Sequence, residues 1–151
     1  MLVEHLLVGE LLKHAWLRDM DGLDIARPEV DDSGYDLIIE WNRVIRHVQL
    51  KTSKRTAKTS RQTANLALAD KPSGCIIWTL FDEDSMELGP FRFFGGSPGA
   101  PMDGLSDLRV AQRTTPDARG RKPERNNHRV IPRKLFREYS TVPELLRALF
   151  G

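Results

Sequence analysis

Apolar residues recur at helical spacing through the first twenty positions, and the stretch from Val3 to Met20 contains no proline and only Gly9 as a glycine. This predicts a helix over 3–20. Leu7, Val8, Leu11 and Ala15 make its apolar arc, and Glu4 falls inside that arc. A carboxylate aimed at a core is costly unless it is paired or binds a metal; the alternative is a frayed first turn that leaves Glu4 in water. Glu10 lies on a flank beside Val3 and His14, where a solvated or partly paired role is expected. The period then changes. Leu23 to Pro28 reads as a short strand closed by proline. Tyr35–Trp41 and Val44–Lys51 are β-branched and aromatic runs separated only by Asn42 and Arg43, which predicts a hairpin. Thr56 to Asp70 is a helix or an ordered loop. Cys75 to Phe81 is a continuous apolar run that suits a buried central strand.

From Glu83 to Asn127 the prolines at 90, 98, 101, 116 and 123 and the glycines at 89, 95, 96, 99 and 104 break any long element. Phe91 to Phe94 is one candidate strand and Leu105 to Val110 a short helical turn. Arg113 to Asn127 is polar, basic and expected to be mobile. Order returns with a strand at Arg129–Ile131 and a helix over Val142–Phe150, which Thr141 and Glu144 open as a capping box. The pattern predicts one mixed α/β domain over 1–151, with a motif-bearing half (1–81), a loop-rich part (82–127) and a terminal strand and helix (128–151).

A chain of 151 residues can bury a core without cross-links. No apolar run approaches the roughly 20 residues needed to span a bilayer, and Glu4, His5 and Glu10 interrupt any signal-peptide core. With a lone Cys75 there is no internal disulfide, so the reducing cytoplasm is the expected compartment. The net charge of +2 hides an uneven distribution. Asp19, Asp21, Asp24, Glu29, Asp31, Asp32, Asp36 and Glu40 face Arg27 alone. Lys51, Lys54, Arg55, Lys58 and Arg61 follow, and a second basic stretch runs from Arg109 to Arg137. Acid beside base suits a metal-using protein with a polyanionic substrate, or else is an ordinary solvated surface.

The hairpin sharpens the choice. If Trp41 faces Val44 across Asn42 and Arg43, Asp36 falls opposite Gln49, with Cβ atoms roughly 4.5–5.5 Å apart. Lys51 projects from the same face as Gln49, while Leu37, Ile39, Val48 and Leu50 point to the other. Asp36 and the Gln49 oxygen are hard ligands suited to Mg²⁺, and Lys51 is placed to act on a phosphate. Any one of these residues alone is more simply a polar strand face. Lys54, Arg55, Lys58 and Arg61 follow directly and are the candidate phosphate-backbone contacts.

Cys75 reads as a buried, inert thiol rather than a nucleophile with His47 or His128, and His5, His14, His47 and His128 lack zinc-ligand spacing. Gly95 to Gly99 reads as a plain turn, and Trp16, Trp41, Trp78, Phe91, Phe93 and Phe94 as packing residues.

Taken in order, Glu4, Ala15-Trp16, Gly34-Tyr35-Asp36-Leu37 and Gln49-Leu50-Lys51-Thr52-Ser53 resemble the PD-(D/E)XK nuclease superfamily. The likeness is to its small branch related to archaeal Holliday-junction resolvases and bacterial endonuclease-like proteins, and it covers about a third of the chain. It implies a restriction-endonuclease-like core, a mixed sheet flanked by helices. It also implies Mg²⁺- or Mn²⁺-dependent cleavage of DNA, and a homodimer. Asp36, Gln49 and the Leu50 carbonyl would hold the metal, Lys51 would act at the phosphate, and Glu4 would complete the site. Gln49 stands where an acid is commoner, and Ala15 where glycine is usual. The alternatives are an idle module of this fold that binds nucleic acid or a partner protein, and a nuclease directed at RNA.

Overall fold

The computed structural model describes residues 1–30 and 33–151; Asp31 and Asp32 of the acid-rich stretch lie outside the described residues. A six-stranded sheet carries two helices on one face and a second, three-stranded sheet on the other, giving an α/β fold with a mixed sheet. The chain begins with α1 (Leu2–Leu17), followed by β1 (Asp24–Ala26), β2 (Leu37–Trp41) and β3 (Val44–Lys54). Next come β4 (Arg61–Asn65), a 3-10 turn (Leu66–Asp70), β5 (Gly74–Phe81) and β6 (Leu88–Gly95). It ends with β7 (Val110–Gln112), β8 (Glu124–Pro132), β9 (Arg137–Tyr139) and α2 (Val142–Phe150). The large sheet is ordered β1-β2-β3-β5-β6-β9, and the small one β4-β8-β7. Only β3 and β5 run parallel in the large sheet.

Alternation along the strands divides the interior into two cores. Leu37, Ile39, Val48, Leu50, Cys75 and Ile77 join Leu7 and Leu11 of α1 and Leu145 and Leu149 of α2 on the helix face. Ile76, Trp78 and Leu80 of β5 pack instead against Ala64, Ile131 and Phe136 beneath the small sheet. This explains the continuous apolar run of β5: it is the strand buried on both faces. Cys75 is buried, and burial pushes its thiol up to about 12, so it is inert as expected.

The capping box at α2 is formed: Thr141 Oγ1 accepts the Glu144 N–H, and the Glu144 carboxylate accepts the Thr141 N–H. At the other end of α2, Arg46 of β3 does the capping. It sits on the core-facing side of its strand, fully buried, and donates to the carbonyls of Leu149 at 2.8 Å, Ala148 at 3.3 Å and Gly96 at 3.0 Å. A cation at a helix C-terminus satisfies carbonyls that the helix itself leaves unpaired.

Two expectations are corrected. Trp16 is 83% exposed rather than a packing residue. The buried stripe of α1 is Val3, Leu7, Leu11 and Ala15, which turns the following residue, Trp16, out to water. Within Arg113–Asn127, the segment expected to be mobile, β8 already begins at Glu124 and pairs with β7 through Gln112↔Glu124 and Ala111↔Arg125.

Candidate functional site

The hairpin forms with the expected register, Trp41↔Val44 through Leu37↔Val48. Asn42 and Arg43 both adopt positive φ, 49° and 66°, as the tight two-residue hairpin turn requires. Just before β2, Asp36 donates its N–H to the Val48 carbonyl at 2.8 Å, and its Oδ2 accepts the Leu50 N–H at 2.6 Å. The carboxylate is thereby fixed against the backbone between Gln49 and Lys51. In a strand, N–H and C=O of one residue point to the same edge, so the Leu50 carbonyl opens on the side of that carboxylate. Gly34 sets the approach: its φ is +77°, and a Cβ there would lie 3.0 Å from the Cβ of Asn65 on β4. Glycine alone suits both the conformation and the close passage.

Gln49 and Lys51 project opposite to Val48 and Leu50, onto the side of the small sheet, where their β5 partners are Ile76 and Trp78. Two residues further along β3, Ser53 Oγ accepts the Trp78 indole N–H at 2.9 Å and ties the strand to the core beneath it. Both Gln49 and Lys51 are half-buried. Burial is the largest influence on Lys51 and lowers its proton affinity; Asp36 opposes this, and Arg125 adds to it by like-charge repulsion. Arg125 lies on β8, where its Nη2 is 3.0 Å from Nε2 of His128. His128 is likewise held below its ordinary value, by burial first and then by Arg125 and Lys51. The site face therefore joins Asp36, Gln49 and Lys51 from the hairpin to Arg125 and His128 from the small sheet.

Gln49 Oε1 is buried and has no hydrogen-bond donor. A carbonyl oxygen left in that state costs about 1–3 kcal/mol. Among the described residues the two other side-chain atoms in this condition are Arg46 Nη1 and Thr79 Oγ1, both on strand positions facing the helices. Gln49 directly precedes Leu50, whose N–H holds the Asp36 carboxylate, and a carboxylate and an amide oxygen are hard donors of the kind that suit Mg²⁺ or Mn²⁺. Among the described residues no three His, Cys, Asp or Glu side chains gather as a metal-holding group.

The remaining predicted residues have the following partners. Glu4 belongs to the helix layer and faces Arg27 Nη1 at 3.8 Å. Glu10 pairs with Lys13 at 2.7 Å and His14 at 3.4 Å, the flank role expected for it. Lys54 is held by Glu83 at 2.5 Å, while Arg55 donates to the Gly89 carbonyl at 2.6 Å and lies 3.7 Å from Glu87. Lys58 and Arg61 stand exposed. Arg125 and His128 were not legible as site residues. Their segment has no apolar alternation, and their strand is placed by pairing with β4, far away in sequence, and by packing of Ile131 on β5.

No protein-family model matches the chain, and no curated protein matches it. Among solved structures, a bacterial homing endonuclease, I-Ssp6803I, aligns over 75% of this chain and 76% of its own, with 20% identity and a TM-score of 0.30. A TM-score of 0.30 lies below that of a shared fold, so functional reasoning rests on the residues themselves. No helix among the described residues is long and apolar enough to cross a membrane.

Proposed function

We propose that this protein is a metal-dependent endonuclease that hydrolyses phosphodiester bonds of DNA at the Asp36–Gln49–Lys51 face. The observation that carries this reading is the buried, unsatisfied Gln49 oxygen on the strand that also bears half-buried Lys51 and the Leu50 N–H to which the Asp36 carboxylate is anchored. Asp36, Gln49 Oε1 and the Leu50 carbonyl would hold the divalent ion. When bound, the ion supplies Lewis-acid stabilisation of phosphate charge and acidifies water at the site.

The chain's own groups do the rest. Asp36 is anchored through Oδ2 on the Leu50 N–H, which fixes its carboxylate at this face. Lys51, with part of its hydration removed, directs its ammonium donors at a phosphate oxygen and offsets charge that grows there in the transition state. Arg125 adds a second cation at the same face and steadies the neighbouring phosphate. Glu4 completes the site only by exchanging Arg27 for the ion or its water.

A titration of Mn²⁺ followed by electron paramagnetic resonance tests this directly. One site is expected in the wild type. It is lost in Asp36→Asn, weakened in Gln49→Ala, and tightened on the order of tenfold in Gln49→Glu, which adds a charged ligand. Glu4→Gln weakens it further and Glu10→Gln does not, if Glu4 belongs to the site; the reverse pattern removes Glu4 from it. Equal Mn²⁺ affinity in wild type, Asp36→Asn and Gln49→Ala would remove the metal from this face.

A further inference from the structure

The second basic stretch, residues 109–137, holds ten lysines and arginines against the acids Asp117 and Glu124. In the structure much of it is one ribbon, β7 and β8 with the connection between them. That connection is ordered by its own backbone. Arg113 N–H bonds the Pro123 carbonyl at 2.8 Å, and Asp117 N–H bonds that of Arg121 at 2.7 Å. Asp117 Oδ1 accepts the N–H groups of Arg119 and Arg121, each at 2.9 Å. One of the two acids is thus spent on shaping the tip.

Arg113, Arg119, Arg121, Lys122 and Arg125 are exposed, and none of them forms an ion pair among the described residues. Lys54 and Arg55 differ, because Glu83 and Glu87 already answer their charge. On the ribbon a cleft of about 450 Å³ is lined by donors from Gln112, Arg113, Thr114, Thr115 and Arg125, together with Pro116, Pro123 and Asp117, whose Oδ1 is already bonded to the Arg119 and Arg121 N–H groups. Its inner end meets the site, since Arg125 adjoins His128 at 3.0 Å and acts on Lys51. The stretch carries ten cations and only Asp117 and Glu124 as acids, so the fold supplies few local carboxylates to balance them. A polyanion laid along the ribbon would.

We propose that the β7–β8 ribbon is a clamp that carries the phosphate backbone of DNA across the Asp36–Lys51 face, with Arg119, Arg121 and Lys122 gripping it at the tip and Arg113 and Arg125 nearer the site. This rests on the nuclease reading for its substrate and adds where the substrate lies. Main-chain bonds that shape the ribbon before contact reduce the backbone ordering that binding would otherwise cost.

The test is binding of a labelled 30-base-pair duplex DNA in EDTA, followed by fluorescence anisotropy over a series of KCl concentrations. Each phosphate contact contributes roughly 0.9 to the slope of log affinity against log salt. Arg119→Ala/Arg121→Ala/Lys122→Ala is therefore expected to flatten the slope by about two to three and to weaken binding at least about tenfold near physiological salt. Lys13→Ala/Arg18→Ala, on α1, is expected to leave the slope as it is. An unchanged slope in the tip variant overturns the clamp, as does absence of DNA binding by the wild type. EDTA separates the two claims. Wild-type binding that the tip variant loses, with no cleavage in any metal, sinks the nuclease reading and keeps the clamp. Metal-dependent cleavage with an unchanged tip slope sinks the clamp alone.

Discussion

Asp36→Asn and Lys51→Met are each expected to lower the rate of DNA cleavage on the order of 10³-fold while leaving the fold intact, the loss typical when one group that stabilises transition-state charge is removed. Asparagine is the right replacement at 36. Asp36 Oδ2 accepts the Leu50 N–H at 2.6 Å, and the asparagine carbonyl can keep that bond while withdrawing the charge. Alanine would leave the N–H without an acceptor and cost about 1 kcal/mol or more, mixing a stability loss with a functional one. Methionine at 51 likewise keeps the aliphatic stem beside Trp78, its β5 partner, and removes only the ammonium. Single-turnover cleavage with saturating enzyme reads the chemical step, and circular dichroism melting reads the fold. A variant with near wild-type turnover would exclude its residue from the site.

Arg46→Ala should behave in the opposite way. Arg46 and Lys51 share β3 but face opposite sides of the sheet, and Arg46 is fully buried. Its guanidinium bonds the last carbonyls of α2 and lies 5.6 Å from the centroid of the Phe93 ring. Removing it strands those carbonyls and opens a cavity between α2 and the sheet. A destabilisation of about 3 kcal/mol or more is expected, from the lost charge-assisted hydrogen bonds and the missing side-chain volume together. Urea denaturation measures it. Arg46→Lys should recover only part of the loss, since one ammonium cannot reproduce the planar fork that reaches three carbonyls. A midpoint for Arg46→Ala within about 0.5 kcal/mol of wild type, the range of ordinary surface substitutions, would show that α2 is capped without it.

These two residues also show how far the sequence could be read. The hairpin register followed from the period of two and the single break at Asn42-Arg43, and it placed Gln49 and Lys51 on one face. The same parity puts Arg46 with Val48 and Leu50, so a charge on the apolar side of the strand signals a buried partner. That partner, the end of α2 more than a hundred residues away, is not readable from local pattern. Helix α2 and strand β5 were legible because a capping box and an unbroken apolar run are local signals. The small sheet was not. Of β8 only Ile131 is buried, and β4 buries only Ala64, so neither strand carries a hydrophobic period. They are held by main-chain pairing between distant segments, Asn65↔His128 through Arg61↔Pro132. For that reason Arg125 and His128 emerged as neighbours of Lys51 only in three dimensions. Trp16 failed for a simpler reason: aromatic character suggested packing, whereas helix phase decides exposure.

Cleavage of a labelled DNA duplex by wild type and Asp36→Asn, purified side by side and assayed with Mn²⁺, with Mg²⁺ and with EDTA, tests the central claim most directly. The predicted result is cleavage by the wild type in either metal, none in EDTA, and loss on the order of 10³-fold in Asp36→Asn. Equal cleavage by both proteins, or none by the wild type in either metal, would contradict it.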